Sequence, residues 1–289
     1  MLSGWEDQST EPINFTLDVP AGNETKTPEV NAGGVNFNPS VTFKNNNVTN
    51  GHYAVSPKLI GDKEITFTSG FVVYKHPDEG SAGALVGARD QNPGAANGVI
   101  VMGGYGHDFT TGPGISGVYD YYGPVDRNRH QLSNFEIAGS KTARVDGKTA
   151  TFSRTNNFSA FTFTPVIGAT NGGSNDWHGF GGDVAEIILY DELTSDHAAK
   201  IETYLAVKYG ITLNEGNSDY VATNGDIVWS ADSTYKYNIA GIGRDDAEEL
   251  NQKQSHSINV GEPQVAIGLG TLEDTNAQNS NELLAMGNT

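Results

Sequence analysis

The sequence predicts an all-β sandwich or jelly roll that carries one convincing helix. Three observations point there: frequent short strand-like runs, 36 Gly to supply turns, and a single stretch of helical period in 289 residues. That stretch follows the most informative strand. In Asp183 to Tyr190, Val184, Glu186, Ile188 and Tyr190 share one face, while Ala185, Ile187 and Leu189 share the other. A strand apolar on most positions of both faces is expected to be covered on both sides. Thr194 or Ser195 can cap the helix expected over 195–209 by accepting from an exposed backbone N–H. Ala198, Ile201, Leu205 and Lys208 recur at three- and four-residue spacing, which predicts one narrow buried stripe. Gly210 is free to take the left-handed conformation that ends a helix.

The other elements follow in order. Residues 1–30 are polar and interrupted by Pro12, Pro20 and Pro28, with one strand expected in Ile13 to Val19. Residues 35–43 read as an edge strand, because Pro39 cannot donate to a ladder. Glu64 to Tyr74 alternates and is the best early strand. Residues 84–87 and 98–102 are short apolar runs. Residues 103–130 are rich in Gly, Tyr, Asp and His. Thr142 to Phe152 predicts a hairpin turning at Asp146-Gly147. Ala160 to Ile167 is a further strand, and a Gly/Asn loop with Trp177 and His178 precedes the closing strand. After Leu213, strand-like runs recur at 220–230, 237–242 and 260–269.

Gly182 to Leu213 closely resembles the end of a concanavalin A-like, laminin G-like jelly-roll domain of large surface proteins from Bacteroidetes-type bacteria. There a strand G-D-(I/V)-A-E-(I/V)-I-(I/V/L)-Y leads through a loop to a helix ending Y-L-A-x-K-Y-G-I-T-L. Phe71 to Lys75 and the Asp146-Gly147-Lys148 hairpin resemble further elements of that domain. Asn238 to Asp246, with Leu250 to Ser255, resembles a domain of unknown function that follows it in the same proteins. The resemblance implies a laminin G-like jelly roll over 31–214, an N-terminal extension or linker over 1–30, and a partial second β domain over 215–289. It also implies a secreted or cell-surface location and membership of a longer polypeptide.

The net charge of −18 (17 Lys and Arg against 35 Asp and Glu) repels phosphate backbones and anionic lipid. Nucleic acid and membrane binding are therefore not expected of this chain, and with no stretch near 18 apolar residues neither is membrane insertion. An acidic surface also keeps a secreted protein soluble. The chain has no Cys, hence no disulfide framework and no thiolate chemistry. Met1 to Glu6 lacks a basic start and an apolar core, so it does not read as a signal peptide.

Glucanases of jelly-roll fold place carboxylates two residues apart on one strand, flanking the scissile bond. This chain lacks that pattern, and Glu186 reads as a structural carboxylate. Gln254-Ser255-His256 mimics a lyase motif but lies outside the jelly roll. No pair among the seven His has zinc-site spacing, and each reads as a surface or loop imidazole. The candidate ion is calcium, with no other cofactor expected. Asp90 and Asn92 offer alternate oxygen ligands in a turn, and Asp183 stands where the last strand begins. An Asx turn is the competing reading of these positions. Tyr105, His107, Asp108, Tyr121, Tyr122, Asp176, Trp177 and His178 form a loop constellation suited to sugars: rings stack on apolar sugar faces while polar groups bond hydroxyls. The competing reading is that the aromatics anchor the core. The function expected is a noncatalytic recognition or spacer module of an adhesin-like surface protein, with glycan or another surface protein as partner. The alternatives are a glycoside hydrolase or polysaccharide lyase of the same fold, or a purely structural segment.

Overall fold

The computed structural model describes residues 2–44, 57–76, 83–88, 99–102, 109–112, 126, 128–136, 142–150, 161–169, 179–247, 249–259, 266–268 and 282–288. The strands before the helix are β1 (Gly4–Trp5), β2 (Phe15–Asp18), β3 (Glu29–Val35), β4 (Asn38–Lys44), β5 (Lys58–Gly61), β6 (Ile65–Phe67), β7 (Ser69–Lys75) and β8 (Gly83–Ala88). They continue with β9 (Val99–Met102), β10 (Phe109–Gly112), β11 (Gln131–Glu136), β12 (Thr142–Val145), β13 (Lys148–Ala150), β14 (Phe161–Phe163), β15 (Pro165–Ile167) and β16 (Gly181–Tyr190). Two seven-stranded sheets result, ordered β1-β2-β5-β15-β8-β9-β10 and β13-β12-β11-β7-β16-β4-β3. The N-terminal segment thus supplies two strands to the edge of the first sheet. Its β2 is shorter than the alternation of 13–19 suggests.

Between the sheets lies an apolar core. Leu59, Leu85 and Ile167 from the first sheet meet Phe43, Val72, Tyr74, Phe135 and Val184 from the second. Each such side chain contributes about 1.5–3 kcal/mol by leaving water. The short β6–β14 pair adds Phe67 and Phe163, with the Phe67 and Phe135 rings edge to face at 6.0 Å.

The opposite face of the second sheet is covered too, as the double apolar pattern of β16 predicts. Helix α1 (Ser195–Tyr209) packs there with Phe71, Val73, Leu132 and Ala185. The strands β17 (Tyr220–Val221), β18 (Ile227–Trp229), β19 (Tyr237–Asp245), β20 (Leu250–Gln252), β21 (Gln254–His256), β22 (Ala266–Gly268) and β23 (Glu282–Asn288) complete this third layer. Tyr220, Ile239 and Leu250 from these strands share the core that holds Leu205 and Tyr209. Because the C-terminal strands enclose the helix from behind, its buried surface is wider than the narrow stripe expected. Thr203, Ala206 and Val207 are buried along with Ile201 and Leu205.

Several local expectations change. The runs 64–74 and 160–167, each expected as one strand, break at Thr68 and Thr164 into two strands of different sheets. Thr194 occupies the N-cap position without a side-chain cap bond; its carbonyl instead accepts from His197 and Ala198. In β16 a bulge between Val184 and Glu186 breaks the alternation. Val184 therefore joins Ile187 and Leu189 in the inner core, whereas Ala185 joins Ile188 and Tyr190 under the helix. Finally, β4 is not an edge strand, since it lies between β3 and β16. Pro39 is accommodated because its pairing with β3 is irregular between Asn31 and Val35, and its pairing with β16 stops at Val41.

Other turns obey local chemistry. Asp146 (φ 48°) and Gly147 (φ 73°) both take left-handed conformations, which makes the two-residue β12–β13 turn the primed type. Gly210 closes α1 at φ 67°. The β3–β4 turn then reaches the helix end: Asn36 Nδ2 donates to the carbonyls of Val207 (3.3 Å) and Lys208 (3.1 Å), and its Oδ1 accepts from His256 N at 2.7 Å. One side chain thereby joins sandwich, helix and C-terminal strands.

Candidate ligand-binding rim

Strand register fixes which loops rise from the same end of the sandwich. Ile167, the last residue of β15, pairs with Val86, and Gly83, the first of β8, pairs with Met102, the last of β9. The ends of β15 and β9 therefore point the same way with only β8 between them, about 10 Å apart across the sheet at ordinary strand spacing, with β9 reaching further along β8. Segment 103–108 leaves β9 there and returns as β10, since Met102 pairs with Phe109. Segment 170–178 leaves β15 at the same end and crosses to β16. The crossing is anchored by backbone bonds from Gly168 N to Leu85 O (2.9 Å) and from Phe180 N to Gly168 O (2.8 Å).

Tyr105, His107 and Asp108 belong to the first of these segments, and Asp176, Trp177 and His178 to the second. All six lie outside the described residues, as do Tyr121 and Tyr122 in 113–125. Asp90 and Asn92 lie outside them as well. Their segment, 89–98, joins Ala88 to Val99, which pair with Pro165 and Gly112 at the other end of the first sheet.

The described floor of the rim is partly polar. Asp183 sits in β16 opposite Lys75 and Thr42. Its Oδ1 accepts from the Thr42 hydroxyl at 2.6 Å, and its Oδ2 lies 3.8 Å from His130 Nε2. Among the described residues, no three His, Asp or Glu side chains converge as metal ligands. His130 is buried, and desolvation pulls its pKa down to about 4; Asp183 opposes that pull and Lys75 adds to it. Its imidazole is thus neutral at neutral pH. His76 is also buried, edge to face with Phe180 at 5.3 Å. Both stand in loops, as expected, but neither is at the surface. The available signal is that each directly flanks an apolar strand, β7 or β11, at the end where the chain crosses between sheets.

Carboxylates elsewhere hold layers together. Glu186 accepts from Tyr209 Oη (2.6 Å), Lys208 Nζ (2.7 Å) and Tyr204 Oη (2.9 Å), all on α1. This is the structural role expected for Glu186. Burial, and then the Glu186 charge, push the Tyr209 phenol well above its usual pKa. Glu202 on α1 accepts from Asn134 Nδ2 at 3.1 Å and lies 3.1 Å from Arg144 Nη1. Burial raises its pKa to about 7 against the pull of Arg144, with nearby Asp146 adding to the rise. Asp146 is itself held by Arg129 Nη2 (2.6 Å) and Leu132 N (2.8 Å). These groups are committed to the fold.

The chain is thus a β-sandwich protein with a helix and a C-terminal β layer sealed against one sheet. Residues 197–288 match a family described as a domain of unknown function (DUF8202), a match that begins inside α1. No curated protein matches the sequence. Among solved structures, a Trypanosoma rangeli sialidase in complex with the inhibitor DANA is similar at TM-score 0.40 and 12% identity, covering 64% of this chain and 28% of that one. Domain 4 of AbnA, a GH43 extracellular arabinanase from Geobacillus stearothermophilus in complex with arabinotriose, is similar at TM-score 0.36 and 11% identity, covering 63% of this chain and 84% of that one. The ligand binding domain of botulinum neurotoxin serotype D, in complex with N-acetylneuraminic acid, is similar at TM-score 0.32 and 9% identity, covering 84% and 56%. The chain spans just over a quarter of the sialidase's length. Among the described residues, no helix is long and apolar enough to cross a membrane.

Proposed function

We propose that this chain is a noncatalytic recognition module of a secreted, cell-surface adhesin-like protein, and that it engages glycan at one rim of its sandwich. The observation that carries this reading is the shared end of β9 and β15, from which two aromatic-bearing loops leave the first sheet only two strands apart. Tyr105 and Trp177 supply stacking faces, while His107, Asp108, Asp176 and His178 bond hydroxyls. Tyr121 and Tyr122, in the segment that leads into β11, are further candidate stacking rings. Another surface protein is the alternative partner. A noncatalytic role is supported by the carboxylates Glu186, Glu202 and Asp146, each bonded within the fold. Calcium, where bound, is held by Asp183 or by Asp90 and Asn92, and orders the loops beside it. Secretion and a longer parent polypeptide rest on the resemblance to surface-protein domains and on the acidic surface.

A glycan array run with and without calcium tests the proposal, followed by Trp177→Ala. Binding that falls at least about tenfold in this variant with an unchanged melting temperature is the expected result. Normal glycan binding by Trp177→Ala removes the rim from consideration. Shortening of a bound glycan that Glu186→Gln abolishes replaces the module with an enzyme.

A further inference from the structure

The strand β16 is central for only half its length. It lies between β7 and β4, yet β4 pairs with it only from Gly181 to Val184, while β7 follows it to Tyr190. From Glu186 to Tyr190, no described strand covers the other flank. The exposure agrees: Val184 is fully buried, whereas Ile187, Ile188 and Leu189 are only half-buried. A groove of about 1650 Å³ runs along this flank. It touches Ile187 and Leu189, which face the inner core, and also Glu186 and Tyr190, which face the helix layer. A space reached by both faces of a strand must lie along that strand's edge. The far wall comes from the N-terminal segment around Trp5 and from Lys63 to Thr66.

Such an edge is a template for another strand. Tyr190 turns its carbonyl to Thr68 N, on the β7 side, at 2.8 Å. Period-two alternation then aims the N–H and C=O of Leu189 and Ile187 into the groove. Ala185 to Tyr190 offers about 20 Å of edge, the length of an ordinary strand. The lining is apolar within and acidic without. Glu6, Glu11, Glu64, Asp7 and Asp191 stand against Lys63, because Lys208 is already paired with Glu186.

We infer that this groove is a strand-addition site for an extended basic segment of a partner protein, one with Lys or Arg alternating with apolar residues. Its backbone bonds the open edge of β16, its apolar side chains enter the gap between the sheets, and its cations meet the acidic rim. The site is independent of the sugar-binding rim, since β16 starts at that rim and the groove follows its far half.

Residue-resolved hydrogen exchange on the whole chain tests this. In the free protein, the Ile187 and Leu189 amides should exchange at least about 100-fold faster than that of Val72, whose strand is paired on both flanks. The peptide Lys-Val-Lys-Val-Thr-Val-Lys-Val-Lys at saturation should slow both amides about tenfold or more, and its Glu-for-Lys counterpart should not. The exposed double reversal Glu64→Lys and Asp191→Lys should abolish the slowing while leaving the melting temperature unchanged. Amides at 187 and 189 as protected as Val72 in the free protein overturn the inference, because the chain then covers its own edge. So does equal slowing by both peptides, or slowing by neither.

Discussion

Val72 and Tyr74 face the first sheet across apolar side chains. Phe71 and Val73, one residue away on the same strand, face a layer that also buries Glu202 and the phenol of Tyr209. The inner core is held by burial, which has no direction and tolerates shifts of packing. The outer layer adds bonds of fixed geometry: Glu186 to three helix side chains, Glu202 to Asn134 and Arg144, and Asn36 to the helix end. Buried polar groups lose more when left unpaired than they gain when paired, so they penalise every wrong docking pose more than they strengthen the right one. The difference indicates that the sandwich is specified by pattern, whereas the helix and C-terminal strands are specified by position.

The largest test of this contrast compares the two cores. Phe135→Ala opens the inner one and should cost about 3–5 kcal/mol; Leu205→Ala opens the outer one and should cost about 2–5 kcal/mol, both read by urea denaturation. A loss under about 0.5 kcal/mol for Leu205→Ala would show that the outer layer is no core at all.

A second test uses pH, because two buried groups pull in opposite directions. His130 has its pKa depressed from 6.5 to about 4, so its contribution to stability is lost as pH falls through that window. Glu202 has its pKa raised from 4.5 to about 7, so its contribution is lost as pH rises through that window, and raised Asp146 acts in the same sense. Between about pH 4.5 and 6.5 the two groups oppose each other, and the wild type should vary little. His130→Gln should become more stable on acidification relative to wild type across that range. Glu202→Gln should lose stability more steeply on acidification. Each divergence should be on the order of 2 kcal/mol in pH-dependent denaturation. Parallel curves for all three proteins would remove both groups as determinants.

The smallest effect is expected at the surface. Lys148 and Glu215 pair at 2.7 Å with 60% and 67% of their side chains exposed. Lys148→Ala should cost less than about 0.5 kcal/mol by the same measurement, against the larger loss expected where polar groups are buried. A loss above about 1 kcal/mol would mean that the contact between the β12–β13 hairpin and the C-terminal layer is stiffer than its exposure implies.

The sequence alone determined the elements whose signals are local. The helix over 195–209, its glycine stop, the Asp146-Gly147 turn and the double covering of β16 all follow from spacing and turn chemistry, which act within a few residues. Glu186 was legible as structural because the strand lacks a second carboxylate at the spacing that hydrolysis needs. Only the tertiary structure decided the bulge at Ala185, the interior position of β4 despite Pro39, and the broad burial of α1. Each depends on strands far away in the chain: β7 and β4 set the register of β16, and the C-terminal strands close over the back of the helix. The burial of His76 and His130 likewise needed the crossing between sheets at Phe180. The candidate loops could be named from their rings, but the common end of the sheet from which they leave came from the pairing of β15, β8 and β9. Side-chain type is written in sequence; which strands lie side by side is decided by the burial of the whole sheet.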